Sequence, residues 1–231
     1  MSQPNRRVSA VRDKLLEEAE INSVQNADLV QKRREQICDA ALELFLEKGF
    51  ASTTIRDICA RSGINQASIY DYIANKNDIM RRLMNQVWFR RDVPSLPEIL
   101  EDQSLSLEEA LIRYFQATWT TKRKGTLLVY RSVPYMLEED RKAMHAREIA
   151  NMKDVADELQ RRTDKEITDG QLEILANFLV FQASFGPMRD WLNKGIPQER
   201  FIRVIAAGVA AMVRELIETP IPDDTPSQPQ S

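Results

Sequence analysis

Cysteine and histidine are almost absent from the chain: Cys38 and Cys59 lack CxxC spacing, and the single histidine, His145, stands far from both. That count excludes a disulfide framework and a cysteine/histidine zinc site, so no metal and no cofactor is expected. Glycine is scarce as well, at seven residues in 231, and no glycine-rich phosphate loop is among them. With no nucleophile, base or metal cluster to assemble, the sequence offers nothing for an enzyme to work with. Long apolar runs are missing too, since no stretch approaches the roughly 18 uncharged apolar residues of a membrane span. The first twenty residues carry Arg6, Arg7, Glu17, Glu18 and Glu20 where a signal peptide would have its apolar centre. The expectation is a cytoplasmic protein with no membrane partner.

What is present is an ordinary globular composition, 43% hydrophobic and 29% charged, enough to bury a core in one or two compact domains. The net charge of −3 argues against a nucleic-acid binder until its distribution is followed along the chain. Residues 29–91 hold eleven Lys/Arg against seven Asp/Glu, whereas residues 92–231 hold seventeen against twenty-three. The N-terminal part is therefore basic and the remainder acidic. A swing of this size also occurs on ordinary solvated surfaces, and only a motif can give it meaning.

Apolar residues recur with a 3.6-residue period and no convincing strand interrupts them, so the fold class expected is all-α. A first helix is expected over Val30–Lys48, with Ile37, Ala40, Ala41, Leu44 and Phe45 on one face and Gly49 as its stop. A short second helix starts after Thr54, whose spacing to Asp57 resembles a capping box, and ends at Gly63. Asn65 can cap a third through Gln66 to Tyr70, with Ile64, Ile69 and Ile73 inward, and Asn75 a fourth. Beyond Pro94 and Pro97 the pattern lengthens. Helices are expected from Leu107, with Leu111, Tyr114, Phe115, Thr118 and Trp119 on one side, then at 126–144 with Pro134 a kink or break, and at 146–162. Two more cover 171–193 and, after Gly195-Ile196-Pro197, the stretch to Glu218. The last two are apolar over more than one face, which makes them the candidate dimer interface, through Phe185, Trp191, Phe201, Ile205, Val209 and Met212.

A short helix, a glycine turn and a second short helix constitute a helix-turn-helix, which lays its second helix in the DNA major groove. Here the stretch is TTIRDICARSGINQASIYDYIANKNDI. Together with Phe45-Leu46-Glu47-Lys48-Gly49-Phe50 before it, this string closely resembles the tetracycline-repressor (TetR) family over about Val30–Trp88. Beyond Trp88 the resemblance lies only in helix count, length and the Gly195-Ile196-Pro197 junction. It implies an N-terminal three-helix helix-turn-helix domain at 30–90 and a larger helical effector-binding and dimerisation domain at 91–219. Residues 1–29 form an extension, partly disordered or one extra helix, and 220–231 a disordered tail.

On physical grounds, Thr54 and the free amides at the start of its helix can hold one phosphate, with Tyr70, Tyr72 and Lys76 reaching others. Asn65, Gln66, Ala67 and Ser68 lie where side chains meet base edges; Gln66 can pair with adenine in two places, worth roughly 1–3 kcal/mol of discrimination, and Ala67 suits a thymine methyl. By resemblance Arg56 also touches DNA, and a solvated surface arginine is the equal alternative. For the two tyrosines the alternative is packing beneath the fourth helix. Asp71 departs from the family pattern, because a carboxylate among phosphates is repelled unless it accepts a cytosine amino group. Arg6, Arg7, Arg12 and Lys14 suggest a minor-groove arm, against which Val8, Val11, Leu15 and Ile21 suggest an extra helix on the body.

The resemblance further implies a repressor that binds a palindromic double-stranded DNA operator as a homodimer and is controlled by a small-molecule effector. Tyr114, Trp119, Tyr130, Met136, Phe178, Phe181 and Met188 are candidates to line an effector cavity, with ordinary core as their alternative. Arg131 is either a partner for a ligand carboxylate or an ion-paired surface residue. The Ile69-Tyr70-Asp71-Tyr72-Ile73 run resembles regulators of acyl-CoA or aromatic-acid breakdown. Two other readings stay open: an architectural DNA binder, disfavoured by the acidic C-terminal part, and a helical module that binds another protein.

Overall fold

The computed structural model describes residues 14–89 and 92–221, and every described element is a helix. The described residues divide into two compact units, one of residues 14–89, 92–93 and 120–148, the other of 94–119 and 149–221. No helix among the described residues is long and apolar enough to cross a membrane.

In the first unit, α1 spans Ala27–Lys48 and begins earlier than its apolar period suggests, because the Asn26 side chain accepts the Leu29 amide as a cap. Its buried face includes Ile37, Cys38, Ala41, Leu44 and Phe45, and it stops at Gly49, whose φ of +87° only glycine adopts without strain. Then follow α2 (Ile55–Ser62) and, after a single 3-10 turn at Ile69–Asp71, α3 (Lys76–Leu83), which widens into a π-helical turn over Met84–Trp88. Phe45, Ile58, Ile69, Ile73, Ile79, Leu83 and Met84 are sealed in one core. Behind them lies α6 (Arg123–Ser132); a Cβ at Gly125 would sit 2.3 Å from the Val87 carbonyl oxygen, so only glycine permits that approach.

The second unit is built from α4 (Leu96–Leu100), α5 (Leu107–Thr121, up to Trp119), the later part of α7 (Glu138–Gln160), α8 (Asp169–Arg189) and α9 (Gln198–Glu218). Leu111, Tyr114, Phe115, Thr118 and Trp119 are all buried, as their spacing predicts. Trp119 stacks on Phe115 at 5.2 Å, and Gly186 lets α8 lie directly on its indole.

Two expectations need correction. The helices expected at 126–144 and 146–162 are instead α6, a 3-10 turn at Val133–Tyr135, and α7 running unbroken from Glu138. Pro134 ends the earlier helix outright because it offers no amide to continue the ladder, whereas nothing near His145 interrupts helix. Residues 14–26 contain no helix, so Leu15 and Ile21 lie on a segment without regular secondary structure. Arg6, Arg7, Val8, Val11 and Arg12, and most of the expected tail, lie outside the described residues.

Candidate nucleic-acid interface

At the start of α2, Thr54 and Asp57 form a reciprocal cap. The Asp57 amide donates to Thr54 Oγ1 at 3.1 Å, and the Thr54 amide and hydroxyl donate to the Asp57 carboxylate at 2.8 and 2.7 Å. Lys48 ion-pairs with the same carboxylate at 2.7 Å, and its hydrogen bond, followed by those from Thr54, holds the Asp57 carboxyl well below the usual carboxylate range. The neighbouring Thr53 is buried, its hydroxyl donating to the Gly49 carbonyl at 2.8 Å, which ties the loop before α2 to the end of α1. Arg56 projects from α2 into solvent.

Gly63, at φ +71°, turns the chain toward the recognition segment. The helix that Asn65 is expected to cap is replaced by a turn and the 3-10 segment, and the Asn65 side chain instead accepts the Ala67 amide at 2.8 Å within that turn. The reason is local: the Ser68 amide and hydroxyl both donate to the Asn65 carbonyl, at 3.0 and 3.2 Å, closing the tighter i to i+3 ring. Asp71 then donates its amide to the Ser68 carbonyl. Ile64, Ile69 and Ile73 face inward, and Asn65, Gln66, Ala67 and Tyr70 face solvent, with Ser68 and Asp71 half-buried.

Two residues with expected phosphate roles are turned inward. Lys76 donates to the Phe50 and Thr53 carbonyls at 2.8 and 2.9 Å and lies over the Phe50 ring at 4.3 Å; burial lowers its pKa. Tyr72 packs on the core, and its carbonyl accepts from Arg34 at 2.9 Å. Tyr70, by contrast, is 52% exposed. Sequence reasoning missed Arg34, Thr53 and Arg61, which clasp the motif from behind. Arg61 forks between Glu43 and Glu47 of α1 at 3.1 and 2.9 Å, a pair that i, i+4 spacing on α1 makes visible in hindsight.

The candidate effector residues fall in both units. Tyr130, Arg131 and Met136 belong to the first, where Met136 is core and Arg131 donates to the Leu46 carbonyl near the end of α1. Tyr114, Trp119, Phe178, Phe181 and Met188 belong to the second. There the indole N–H of Trp119 is buried with no acceptor, and Phe181 and Met188 are exposed. Among the dimer candidates, Trp191 and Met212 are exposed, Phe185, Phe201 and Ile205 are half-buried, and Val209 is 8% exposed within its own unit's core.

A glycine-linked pair of short helical elements clasped against a longer first helix defines a helix-turn-helix protein. Residues 37–83 match the domain described as "Bacterial regulatory proteins, tetR family". The transcriptional regulator HbdR of Aromatoleum sp. (strain CIB) is 32% identical over 123 residues, 52% of this chain and 53% of that protein. The class D tetracycline repressor of Escherichia coli is 31% identical over 93 residues, 37% of this chain and 43% of the repressor. The chain thus spans about half the length of the curated relatives it matches. Solved structures agree in fold: the TetR-family regulator PfmR of Thermus thermophilus superposes with a TM-score of 0.57 at 16% identity, over 77% of this chain and 95% of that one. A tetR-family protein of Rhodococcus gives 0.58 at 16% identity, over 80% and 97%. Residues 37–83 are therefore a tetR-family helix-turn-helix domain, and the described residues share the fold of solved TetR-family structures.

Proposed function

We propose that the chain is a sequence-specific transcriptional regulator, a repressor, that binds a palindromic operator as a homodimer and is controlled by a small-molecule effector. The observation that carries the reading is the division of labour at residues 54–76. Arg56, Asn65, Gln66, Ala67 and Tyr70 are left to solvent, while Arg34, Lys76 and Thr53 hold backbone carbonyls beneath them and Arg61 ties α2 to the α1 carboxylates of Glu43 and Glu47. A surface held this way meets DNA without first being ordered, which removes an entropic cost of binding. In this reading Arg56 and Tyr70 take phosphates and Gln66 reads a base. The effector reading is supported by Trp119, because a buried indole donor without an acceptor is the group that a ligand oxygen would satisfy.

Selection of DNA from a random pool by the purified protein tests the proposal. A palindrome should emerge whose preference relaxes at one position in Gln66→Ala, whereas Arg56→Ala should weaken all sequences alike and reduce the salt slope by about one. No preferred sequence, with both variants behaving like the parent, sinks the reading in favour of a protein partner.

A further inference from the structure

Residues 16–19 form a strap without regular secondary structure against α3 and the π turn after it, held through both its backbone amides and its carbonyls. Leu16, 5% exposed, donates its amide to Asn85 Oδ1 and accepts from Asn85 Nδ2, each at 2.9 Å, so one amide side chain imitates the edge of a β-strand. Ala19 repeats the arrangement with two side chains, donating to Asp78 Oδ1 at 2.9 Å and accepting from Arg82 Nη2 at 2.6 Å. Glu18 closes the clasp, taking Arg82 Nη1 at 2.6 Å and Asn85 Nδ2 at 2.9 Å.

Asp78 and Arg82 are the hinge of this arrangement, at 2% and 4% exposure. The second oxygen of Asp78 accepts Arg82 Nε at 3.2 Å and the Ala74 amide at 3.0 Å. Ala74 directly follows Ile73, where the recognition turn ends. One carboxylate therefore holds the strap with one oxygen and the exit of the recognition turn with the other. A buried ion pair is favourable only when its remaining donors and acceptors are matched, and three of those matches, to Glu18, the Ala19 amide and the Ala19 carbonyl, come from the strap.

We propose that the strap is a positioning element for DNA reading: through Asp78 and Arg82 it sets the exit of the recognition turn, so operator affinity depends on a segment that need touch no base. This rests on the DNA-reading assignment above. Asn85→Ala removes the Leu16 clasp, and Glu18→Gln, at a half-exposed position that leaves the core untouched, removes the negative charge paired with Arg82. In the full chain, amide hydrogen exchange, thermal unfolding and affinity for the selected operator are measured together. Expected are faster exchange at Leu16, Ala19 and Ala74 and an operator affinity about ten-fold weaker in Asn85→Ala, with a smaller loss in Glu18→Gln. Affinity equal to the parent's in both variants, even with lower unfolding temperatures, overturns the positioning role and leaves a strap that only stabilises. A parent that selects no DNA overturns the reader assignment and the role with it; a parent that binds while the variants bind equally well overturns the strap's role alone.

Discussion

Lys76 has the charge that a DNA reader would place on a phosphate, yet its ammonium group sits on the carbonyls of Phe50 and Thr53. No residue-type pattern announces those partners, because every residue has a carbonyl and only the fold decides which ones crowd together. The sequence could thus single out Lys76 without showing which way it turns. Lys76→Met keeps the stem on the Phe50 ring and abandons two acceptors, so urea unfolding should show a loss of about 1–3 kcal/mol, while the salt slope of operator binding stays that of the parent. A reduced slope with unchanged stability would return Lys76 to the phosphate backbone. Cys38 gives the pH dependence. Burial pushes its thiol up to about 12 from an ordinary 9.0, so the folded state keeps a proton that the unfolded chain releases. Its contribution is complete below pH 9 and is lost as pH rises from there toward 12. Stability of the parent should decline through that alkaline window more steeply than that of Cys38→Ala, whose unfolding is followed over the same pH series; parallel curves would show that the thiol is not the group responsible.

At the level of elements, boundaries written in side-chain chemistry were legible. Thr54 with Asp57, Gly49, Gly63 and Asn75 all act where their residue types predict, because caps and stops are decided by bonds within three or four residues. Two features were not legible for the opposite reason. The recognition segment is a 3-10 turn because Ser68 competes for the Asn65 carbonyl, a choice between nearly equal hydrogen-bond rings. The π turn at Met84–Trp88 brings the Val87 carbonyl against Gly125, a contact 38 residues apart in the chain. Gly125→Ala tests the second. Its Cβ would lie 2.3 Å from that carbonyl oxygen and 2.8 Å from its carbon, both backbone atoms that cannot rotate aside. Separation of α6 from the π turn should cost about 1–3 kcal/mol or more, read as a lowered unfolding midpoint; an unchanged midpoint would mean that the close approach is not maintained in solution.

For the whole molecule, the sequence's excess of apolar residues in the last two helices has a spatial form. Along α8, Ile174 and Phe181 are 71% and 45% exposed, and along α9, Val204 and Met212 are 63% and 38% exposed. Their inward neighbours, Leu175, Leu179, Ala206, Ala210 and Val213, already fill the unit's own core. Folding of one chain therefore leaves a second apolar surface without a function of its own, and a second copy of the same chain is the occupant that the homodimer proposal requires. Periodicity assigns Val209 to that surface, and it is instead core, which shows the limit of reading a helix apolar on two sides: the period locates both faces but not which one the chain keeps. Ile174→Glu and Val204→Glu each place a charge where the side chain is mostly exposed, at 71% and 63%. Sedimentation should then show a folded monomer with parental helical content, and operator affinity should collapse, because two half-sites about 34–36 Å apart are gripped together only by a dimer. If both variants remain dimeric, the subunits meet elsewhere and the exposed faces of α8 and α9 serve another contact; if they become monomeric yet bind the full palindrome as the parent does, each half-site is read independently and dimerisation is not part of recognition.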